Sequence, residues 1–488
     1  MSRVELPFAD GFYVSQSGPL IEKRAVNVYP AIPESDASSN RVLFHTPGVT
    51  QTASVTGSNS RGVLVFSDGT PYRVIGTTLY SFDSLNVATN HGAISGISDV
   101  SMASNGINIA IVNPTGNSYF FTPSTNTLET ITSAAFLSHG QATSVTFKDG
   151  FYVFTTDTVF FSSSDKTTND GKDFNALDFE DAEINPDIII KGFNDHNQLY
   201  ILGTETTQVY RTIATSGFPF QLIPGAMIPK GCAARNSVVS FDNSFLFMGG
   251  GKDEKPAIYQ ALGSSIQRIS TSSIEQLLHK LTKTEVTETR AFSYSENGSY
   301  FAVFTFGAHT LVYDQTTSKL AGKPSWHERQ TGVTDGTGFQ KWRSVHGAEV
   351  RGKIQVGDDR SGLVGELSSN VYKEYGNPIE RFWSTKPFID RGNDIFSQSI
   401  ELYMETGLGN SDVTDPQIRM DYSDNGSRTF NSEISRSLGK IGEYNTVIKW
   451  KRLGRFSTSR VLRWKVTDPV PINVYGLFGN VETTSSGG

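Results

Sequence analysis

The sequence predicts an all-β protein: a six-bladed β-propeller with an extended N-terminal arm and a C-terminal β-sandwich-like domain. Short alternating strands, joined by Asp-Gly and Gly-Thr turns, recur along most of a chain that contains 46 glycines. Aromatic residues make up 11% of the chain and charged residues only 19%. Because aromatic residues fit pleated sheets and glycine fits turns, this composition favours strands over helices.

The chain of 488 residues is long enough for several domains. Residues 1–40 contain four prolines and little periodicity, and they are predicted to form an extended arm with apolar anchors, with a disordered leader as the alternative. The propeller is predicted over 41–370. Longer alternating strands predict the sandwich over 371–480, and residues 481–488 are predicted to be a flexible tail.

Six units of short strands follow one another in the propeller region, at intervals of roughly 45–55 residues, within or slightly above the range of propeller blades. The clearest is Gly62–Phe82, where the turns Ser67–Thr70 and Gly76–Thr77 separate three strands. One blade cannot bury both faces alone, so the repetition predicts a radial array, with a long two-sheet sandwich as the alternative. The sixth unit is predicted at 291–313, and strand Arg41–His45 is expected to complete the last blade if the ring closes as many propellers do.

One segment is predicted to be helical. Ser272-Ser-Ile-Glu275 has the pattern of a capping box, and the following leucines continue an apolar stripe. This helix is expected to lie between two blades and to pack against the edge of one of them.

The chain lacks the motifs of common catalytic, cofactor-binding and metal-binding sites, so no catalytic, cofactor-binding or metal-binding residue is predicted. Cys232 is the only cysteine, which excludes an intrachain disulfide and a cysteine-based zinc site. The start of the chain lacks the apolar core of a signal peptide, and no apolar run approaches the roughly 20 residues that span a bilayer. We therefore expect folding in a cytosolic environment and no membrane insertion.

Two short segments invite an enzymatic interpretation. Ser423–Phe430 resembles the Asp-box hairpin of sialidase propellers, but its aspartate falls one place early, at Asp424, and Phe430 replaces tryptophan. In that hairpin the polar residues and glycine shape a turn, so even a true match carries no catalysis. The adjacent carboxylates Asp358 and Asp359 are predicted to lie on a solvated turn.

A basic run at 449–465 contains seven Lys and Arg residues and no acid, interleaved with aromatic residues. One interpretation is two amphipathic strands, with Trp inward and cations outward. The other is contact with DNA phosphates or, more readily, with an acidic protein surface, because Arg and Trp are enriched at protein interfaces. The predicted partner-interface residues are Lys449, Lys451, Arg452, Arg455, Arg460, Arg463 and Trp464.

Short motifs lie in a consistent order along nearly the whole chain: Ala25–Pro30, Leu43–Val49, Lys230–Cys232, Ser244–Phe247, Ser270–Glu275, His309–Asp314 with Trp326, Val356–Asp358 and Val364–Leu367. Together with the C-terminal stretch Tyr422–Val470, their order and spacing resemble the packaged-DNA stabilisation proteins of short-tailed phages, also called tail hub or nozzle proteins.

The resemblance implies a structural virion protein that forms a homohexameric ring beneath the portal and the head-to-tail adaptor. Such a ring prolongs the DNA channel, helps to retain packaged DNA, and docks tailspikes or fibres and a needle or plug. It implies synthesis in the cytoplasm of the host bacterium, location in the phage tail, and double-stranded DNA passing through the lumen. No catalytic residue and no cofactor comes with it.

The mild net charge of -7 fits such a channel, because a wall that bound phosphates tightly would stall DNA passage. We therefore expect a neutral or weakly acidic lumen, with the basic run away from it. The rival from another class is a carbohydrate-binding or carbohydrate-degrading propeller, such as a tail depolymerase or a sialidase-like protein. A cellular propeller scaffold is a third alternative.

Overall fold

The structure is a computed structural model that describes residues 2–8, 11–14, 22–33, 41–181, 187–214, 217–251, 254–333, 340–389 and 393–485. The chain forms two compact units. The sandwich unit comprises Met1–Thr50, Ser295–Trp342 and Leu367–Gly488, and the propeller unit comprises Gln51–Tyr294 and Arg343–Glu366. The first strands are β1 Ser2–Glu5, β2 Tyr13–Val14, β3 Glu22–Lys23, β4 Ala25–Val26, β5 Val28–Ala31, β6 Val42–His45 and β7 Gly48–Ser54.

The next strands form five antiparallel sheets of four or five strands, one after another along the chain. They are β8 Ser60–Val65, β9 Pro71–Ile75, β10 Thr78–Phe82 and β11 Ala88–Ala93; β12 Ser101–Ser104, β13 Ile109–Val112, β14 Ser118–Thr122 and β15 Thr127–Thr130; β16 Ser144–Lys148, β17 Phe151–Thr155, β18 Val159–Ser163 and β19 Phe174–Asp181; β20 Ile189–Asp195, β21 Gln198–Gly203, β22 Thr207–Thr212 and β23 Phe220–Leu222; β24 Gly231–Cys232, β25 Val239–Phe241, β26 Ser244–Gly250, β27 Ala257–Leu262 and β28 Ser265–Arg268.

The remaining strands are β29 Arg290–Glu296, β30 Ser299–Phe306, β31 His309–Asp314, β32 Ser325–Glu328, β33 Ser344–Val350, β34 Lys353–Asp358, β35 Leu363–Ser368, β36 Lys373–Glu374, β37 Asn377–Pro378, β38 Arg381–Ser384, β39 Asn393–Met404, β40 Gln417–Ser423, β41 Ile434–Ser437, β42 Ile448–Lys451, β43 Arg455–Phe456, β44 Val461–Val466 and β45 Asn473–Ser485. The helices are short: α1 Ala134–Leu137, α2 Ser272–Leu278, α3 Lys283–Thr287, α4 Gln315–Ala321, and two 3-10 turns at Asn169–Gly171 and Arg235–Ser237. No helix of the described residues is long and apolar enough to cross a membrane.

The propeller unit is a six-bladed β-propeller whose blades bury their faces against one another. Val74 of the first sheet, for example, lies in one apolar cluster with Ile111 and Phe121 of the second. The first strands of successive sheets lie side by side; β12, for example, lies between β8 and β16. A single blade has no second layer to cover its faces, so this stacking is what stabilises each sheet.

The sixth blade consists of β33–β35, and the start of the propeller segment closes it. Thr52 donates its hydroxyl to the Val364 carbonyl over 3.1 Å, and the Val55 amide donates to the Gly362 carbonyl over 2.9 Å. Residues 290–294 of β29 also belong to this unit, where the Ser293 hydroxyl donates to the Ser240 carbonyl. The ring is therefore closed by a strand that precedes the first blade in sequence.

A buried carboxylate, Asp99, joins several blades of the propeller unit. It accepts hydrogen bonds from Arg290 Nη2 at 2.9 Å and Asn236 Nδ2 at 3.1 Å, with His346 Nε2 at 3.6 Å. Burial alone would raise the pKa of Asp99, but the charges and hydrogen bonds of His346 and Arg290 outweigh it and hold the pKa at about 2. The Asp99 carboxylate is therefore ionised, and both of its oxygens accept hydrogen bonds from residues of the propeller unit.

The sandwich unit is built from two sheets that share one core. One has the order β42-β39-β45-β6-β5, with β1 added to β45 and β43 to β39. The other runs β30-β31-β32-β4-β38-β44-β40-β41 within the unit. Trp464 of β44 stacks on Trp383 of β38, with ring centroids 5.9 Å apart, and the Trp450 ring lies 6.4 Å away. All three tryptophans are completely buried.

The described parts of the predicted arm are strands of this unit. β1 pairs antiparallel with β45, from Ser2 opposite Val481 to Glu5 opposite Phe478. β4 lies between β32 and β38, and Arg24 beside it forms two 2.8 Å bonds with the buried Glu328. The limits of the arm at 40 and of the propeller at 370 remain predictions. The predicted tail beyond Ser485 lies outside the described residues.

The six-blade count is confirmed, but the sixth blade was assigned to other strands. Residues 291–313 were predicted as that blade, whereas β30 and β31 belong to the sandwich unit and β33–β35 form the blade. Likewise Arg41–His45 does not close the ring: β6 pairs with β5 and β45, and the next strand, β7, supplies the closure. The predicted strands and the observed strands alternate apolar and polar residues in the same way, so the local sequence pattern could not distinguish them.

The predicted helix is confirmed as α2, but the predicted capping box is wrong. Thr271 is the N-cap and its side chain makes no capping bond. Glu275 instead pairs with Arg268 and accepts a 2.7 Å hydrogen bond from the Ser270 hydroxyl. A capping box does form one helix later, between Thr282 and Glu285 at the start of α3.

Candidate assembly surface

The basic run occupies three strands of the sandwich unit. β42 pairs with β39, which places Lys449 opposite Glu401 and Lys451 opposite Ser399. β44 lies between β38 and β40 in the other sheet. Because successive side chains of a strand point to opposite faces, Trp450 and Trp464 enter the core while the neighbouring cations point away from it. The amphipathic interpretation of these strands is therefore correct for their apolar residues.

Five of the seven cations form ion pairs within the unit. Arg463 Nε lies 2.8 Å from Asp421, and Lys465 Nζ lies 2.6 Å from Glu433. The other three pairs are Lys449 with Glu401, Arg455 with Asp394, and Arg460 with Asp424. The surface is thus much less positively charged than the sequence of the run alone suggests.

Hydrogen bonds and neighbouring cations lower the pKa values of three carboxylates in these pairs. A hydrogen bond from Lys449 lowers the pKa of Glu401. A hydrogen bond from Ser457, and then the Arg455 charge, lower the pKa of Asp394. Burial would raise the pKa of Glu433, but its hydrogen bond with Lys465 and the nearby cations outweigh burial and lower it. All three carboxylates are therefore ionised at neutral pH.

Arg460 and Trp464 lie inside the unit. Arg460 donates to the Leu453 carbonyl over 2.8 Å, and its guanidinium lies 4.2 Å from the Tyr422 ring centroid and 4.4 Å from that of Phe456. Trp464 has no exposed surface. Sequence reasoning placed both residues at an interface because it could not show which strands cover them.

Lys451 and Arg452 are the exposed members of the run for which the described residues provide no ion pair. They follow one another at the end of β42, where Arg452 has a positive φ of 62° and its amide donates to the Gln398 carbonyl. Lys449, Arg455 and Arg463 are partly exposed but paired. The partner-interface prediction remains untested, and these two cations are the ones most available to a partner.

The loop 438–447, which joins β41 to β42, is held rigidly and carries exposed apolar side chains. The Gly407 amide donates to the Leu438 carbonyl, and the Gly442 amide donates back to Gly407 over 3.1 Å. Thr406 Oγ1 donates to the Tyr444 carbonyl over 3.0 Å. Large apolar side chains nevertheless face solvent at Ile441, Tyr444 and Val447. Sequence reasoning missed this feature, although the two glycines of Leu438-Gly-Lys-Ile-Gly442 mark a forced turn.

The Asp-box-like segment is a structural hairpin between β40 and β41. Ser423 Oγ accepts from the Ser427 amide at 3.1 Å, and Gly426 and Ser427 have φ values of 70° and 64°. Phe430 lies under the Arg463 guanidinium, 3.2 Å from its Cζ to the ring centroid. The segment thus shapes a turn and supports two of the ion-paired arginines.

The paired carboxylates at 358–359 are not solvated, in contrast to the prediction. Asp358 is completely buried, pairs with Arg343, and accepts from the Ser361 hydroxyl and the Arg360 amide. Asp359 is also nearly buried. The carboxylates therefore stabilise the sixth blade of the propeller unit. Across the described residues, no group of three His, Cys, Asp or Glu side chains is placed to hold a metal ion.

Comparisons with known proteins match both units. The family profile described as "Bacteriophage P22 Gp10, beta-propeller" matches residues 4–372, and the profile "Bacteriophage P22 Gp10, beta-sandwich" matches residues 381–482. No curated protein matches the chain.

Among solved structures, "Crystal structure of WD40 beta propeller domain of Doa1" is 12% identical, with a TM-score of 0.39 over 66% of this chain and 97% of that one. "YCF48 bound to D1 peptide" is 10% identical, with a TM-score of 0.41 over 69% of this chain and 99% of that one. These values are too low to carry any inference about function.

Proposed function

The chain belongs to the bacteriophage P22 Gp10 family, and from this premise we propose that it is a structural protein of a short-tailed phage tail. In this proposal a homohexameric ring of the protein, the tail hub or nozzle, lies below the portal and the head-to-tail adaptor. The ring extends the DNA channel, helps to retain packaged DNA, and docks tailspikes or fibres and a needle or plug.

One observation carries the proposal. The two family profiles match in order and together cover residues 4–372 and 381–482, so almost the whole chain corresponds to this family. A propeller alone supports many functions and would favour none of them. What points specifically to this family is that one chain combines this propeller with this sandwich.

The construction of each unit supports a mechanical role. The propeller unit is closed by residues 51–55, which precede its first blade, and its blades are cross-linked by the ionised Asp99. The sandwich unit gathers strands from both ends of the chain around three buried tryptophans. Units closed in this way cannot open without breaking many contacts at once, which suits a tail part that must resist the pressure of packaged DNA.

The family and the propeller fold favour a role without catalysis, and we propose that the protein is not an enzyme. Its net charge of -7 supports a DNA channel in which phosphates are not held tightly. Other tail proteins would then dock on its outer surfaces. The proposed partners are further copies of the chain, the portal and adaptor, spike or fibre proteins, and the needle or plug.

The retention role is tested with particles of the phage that encodes the chain, assembled without it. Such particles should package DNA and then lose it, so that the DNA becomes sensitive to added nuclease. Adding the purified full chain before the nuclease should restore protection. A chain with reversed charges at two exposed positions, Lys280→Glu between α2 and α3 and Lys283→Glu at the start of α3, serves as a folded control and should protect equally.

Equal protection with and without the chain would contradict the retention role. Turnover of host surface polysaccharide by the purified chain would contradict the proposal of a protein without catalysis. Both measurements use the intact chain, so neither depends on isolating a unit.

A further inference from the structure

Two surface patches of opposite charge each have exposed apolar side chains at their centre. The basic patch lies in the sandwich unit and consists of Ile441, Tyr444 and Val447 with Lys440, Lys451 and Arg452. The acidic patch lies in the propeller unit and consists of Leu137, Leu177 and Phe179 with Asp173 and Asp181. The contacts within each unit leave both patches facing solvent.

The basic patch is preformed. Ile441 is 55% exposed, Tyr444 66% and Val447 47%, although the loop that carries them is fixed to the Thr406 hydroxyl and the Gly407 backbone. Lys451 and Arg452 follow on the next strand, and Arg436 Nε ties the two strands by donating to the Lys449 carbonyl over 3.1 Å. A rigid loop loses little conformational entropy when a partner covers it, and tyrosine is enriched among residues that dominate binding energy.

The acidic patch is preformed as well. β19 is the outer strand of the third blade, and a bulge between the pairs Phe161–Phe179 and Ser163–Phe174 pushes Leu177 outward. Leu177 is 79% exposed, and Phe179 is 39% exposed with its ring 5.2 Å from that of His139. Helix α1, which presents Leu137, packs on the same strand.

The two patches carry opposite net charges. Between Asp173 and Ile190 the chain has six acids and no Lys or Arg. In the basic patch, Lys440, Lys451 and Arg452 outnumber the one exposed acid of the loop, Glu443. Asp173 and Asp181 are exposed at the two ends of the acidic patch. Complementary charges around apolar centres give a contact both affinity and orientation.

We propose that the basic patch of one copy of the chain docks on the acidic patch of a second copy. Tyr444, Ile441 and Val447 would cover Leu177, Phe179 and Leu137, with Lys451 and Arg452 facing Asp173 and Asp181. Two different patches make a heterologous contact, which generates a closed ring when its rotation closes. The inference rests on the proposed function and names the surfaces that build its ring.

A second copy is favoured as the occupant because both halves of the contact are present in one chain. A spike or fibre protein would need only one of the two patches, and the other would stay exposed without a purpose. Large exposed apolar side chains that cluster on a soluble protein mark a binding surface. The pairing accounts for both clusters at once.

A charge-swap experiment on the full chain tests the pairing. The variants are Lys451→Glu with Arg452→Glu, Asp173→Lys with Asp181→Lys, and all four changes combined. Rings are counted by mass photometry, with the chain alone and with purified portal–adaptor complexes as a template. Each double variant should form rings at least about tenfold less readily than the wild type, and the fourfold variant should regain them.

Two further variants test the apolar centres, and one serves as the matched control. Tyr444→Ser and Leu177→Ser should each reduce ring formation, whereas Lys280→Glu with Lys283→Glu, which reverses the same number of exposed cations outside both patches, should not. Circular dichroism spectra like that of the wild type would show that every variant is folded.

The inference is overturned if the double variants form rings as the wild type does, or if the fourfold variant fails to regain them. Rings that persist while spike or fibre docking is lost would also overturn it, since the patches would then serve another protein. Those outcomes leave the proposed function standing. A wild-type chain that assembles neither alone nor on portal–adaptor complexes would instead contradict the proposed ring itself.

Discussion

His327 is a completely buried histidine whose two ring nitrogens find no hydrogen-bond partner among the described residues. Its ring lies 5.6 Å from that of Tyr29 and 5.8 Å from that of Phe301 in the sandwich unit. Burial, helped by the charge of Arg329, lowers its pKa well below the ordinary value of 6.5. The folded protein therefore keeps this ring neutral at a pH where an exposed histidine would take up a proton.

The sandwich unit should consequently lose stability in mild acid. As pH falls below 6.5, the unfolded chain binds a proton at this position and the folded chain does not, so the free energy of unfolding decreases by up to about 1.4 kcal/mol per pH unit. His327→Phe should reduce this slope without removing it, because burial also lowers the pKa of His45. The slope is measured from urea unfolding curves between pH 7.5 and 5.

Tryptophan fluorescence reports unfolding of the sandwich unit specifically, because all five tryptophans lie in that unit. His279→Gln, an exposed histidine change in the propeller unit, should keep the wild-type slope. An unchanged slope in His327→Phe would show that the ring is protonated or exposed in the folded protein.

Arg460 illustrates how a cation that looked like a surface residue stabilises the interior. It pairs with Asp424 and is packed between the rings of Tyr422 and Phe456. Arg460→Met should lower the free energy of unfolding by about 3 kcal/mol, the lower end for a broken buried pair, because Asp424 can regain water. Urea unfolding followed by tryptophan fluorescence measures the loss. Arg428→Met, at an exposed position of the same hairpin, should change it little.

Equal losses in the two arginine variants would mean that the contacts of Arg460 contribute nothing beyond those of an exposed arginine. A loss in Arg460→Met alone would show that the predicted interface contained at least one residue with a purely internal role.

At the level of elements, the sixth blade depends on close backbone contact with the strand that closes it. A Cβ at Gly362 would come within 1.9 Å of the Val55 carbonyl oxygen. Gly362→Ala should therefore force the closing strand outward and destabilise the propeller unit by about 1–3 kcal/mol. Calorimetry should show a propeller transition at lower temperature, with the tryptophan-detected transition of the sandwich unit unchanged.

Gly217→Ala is the matched control, since no heavy atom of the described residues lies within 4 Å of a Cβ at that position. It should leave both transitions in place. If Gly362→Ala behaves in the same way, closure by residues 51–55 does not stabilise the propeller.

Much of the element level could be predicted from sequence because strand alternation and turn chemistry are local. The turn Ser67–Thr70 forms as expected, with Asp68 accepting from the Thr70 amide at 2.8 Å and Gly69 at a φ of 81°. The pairing of β1 with β45 could not be predicted, because nothing in a four-residue strand specifies a partner over 470 residues away. The same limit explains the misplaced sixth blade.

The site was predictable only in part, for a related reason. The basic run was visible as composition, but ion pairing depends on registers such as Lys449 opposite Glu401, which sequence alone did not show. Exposure was equally hidden: Trp464 was predicted at an interface and is buried, while Tyr444, which was not among the predicted interface residues, faces solvent. The charge run therefore indicated a set of cations without showing which of them are exposed, and their contact with a partner stays a prediction.

For the whole molecule, family membership is shown by profiles that together span nearly the entire chain, and the ring is the proposal that follows from it. The two oppositely charged patches are the surfaces that we propose build that ring. A tail hub must also recognise the particle above it, so assembly on the portal is the property that separates it from other propeller proteins.

The most direct test is single-particle imaging of the purified chain mixed with purified portal–adaptor complexes. If the chain is a tail hub, the images will show a sixfold ring of the chain seated on the adaptor end of each complex, with a central channel continuous with that of the portal. A chain that stays monomeric and leaves the complexes bare would contradict the tail-hub proposal.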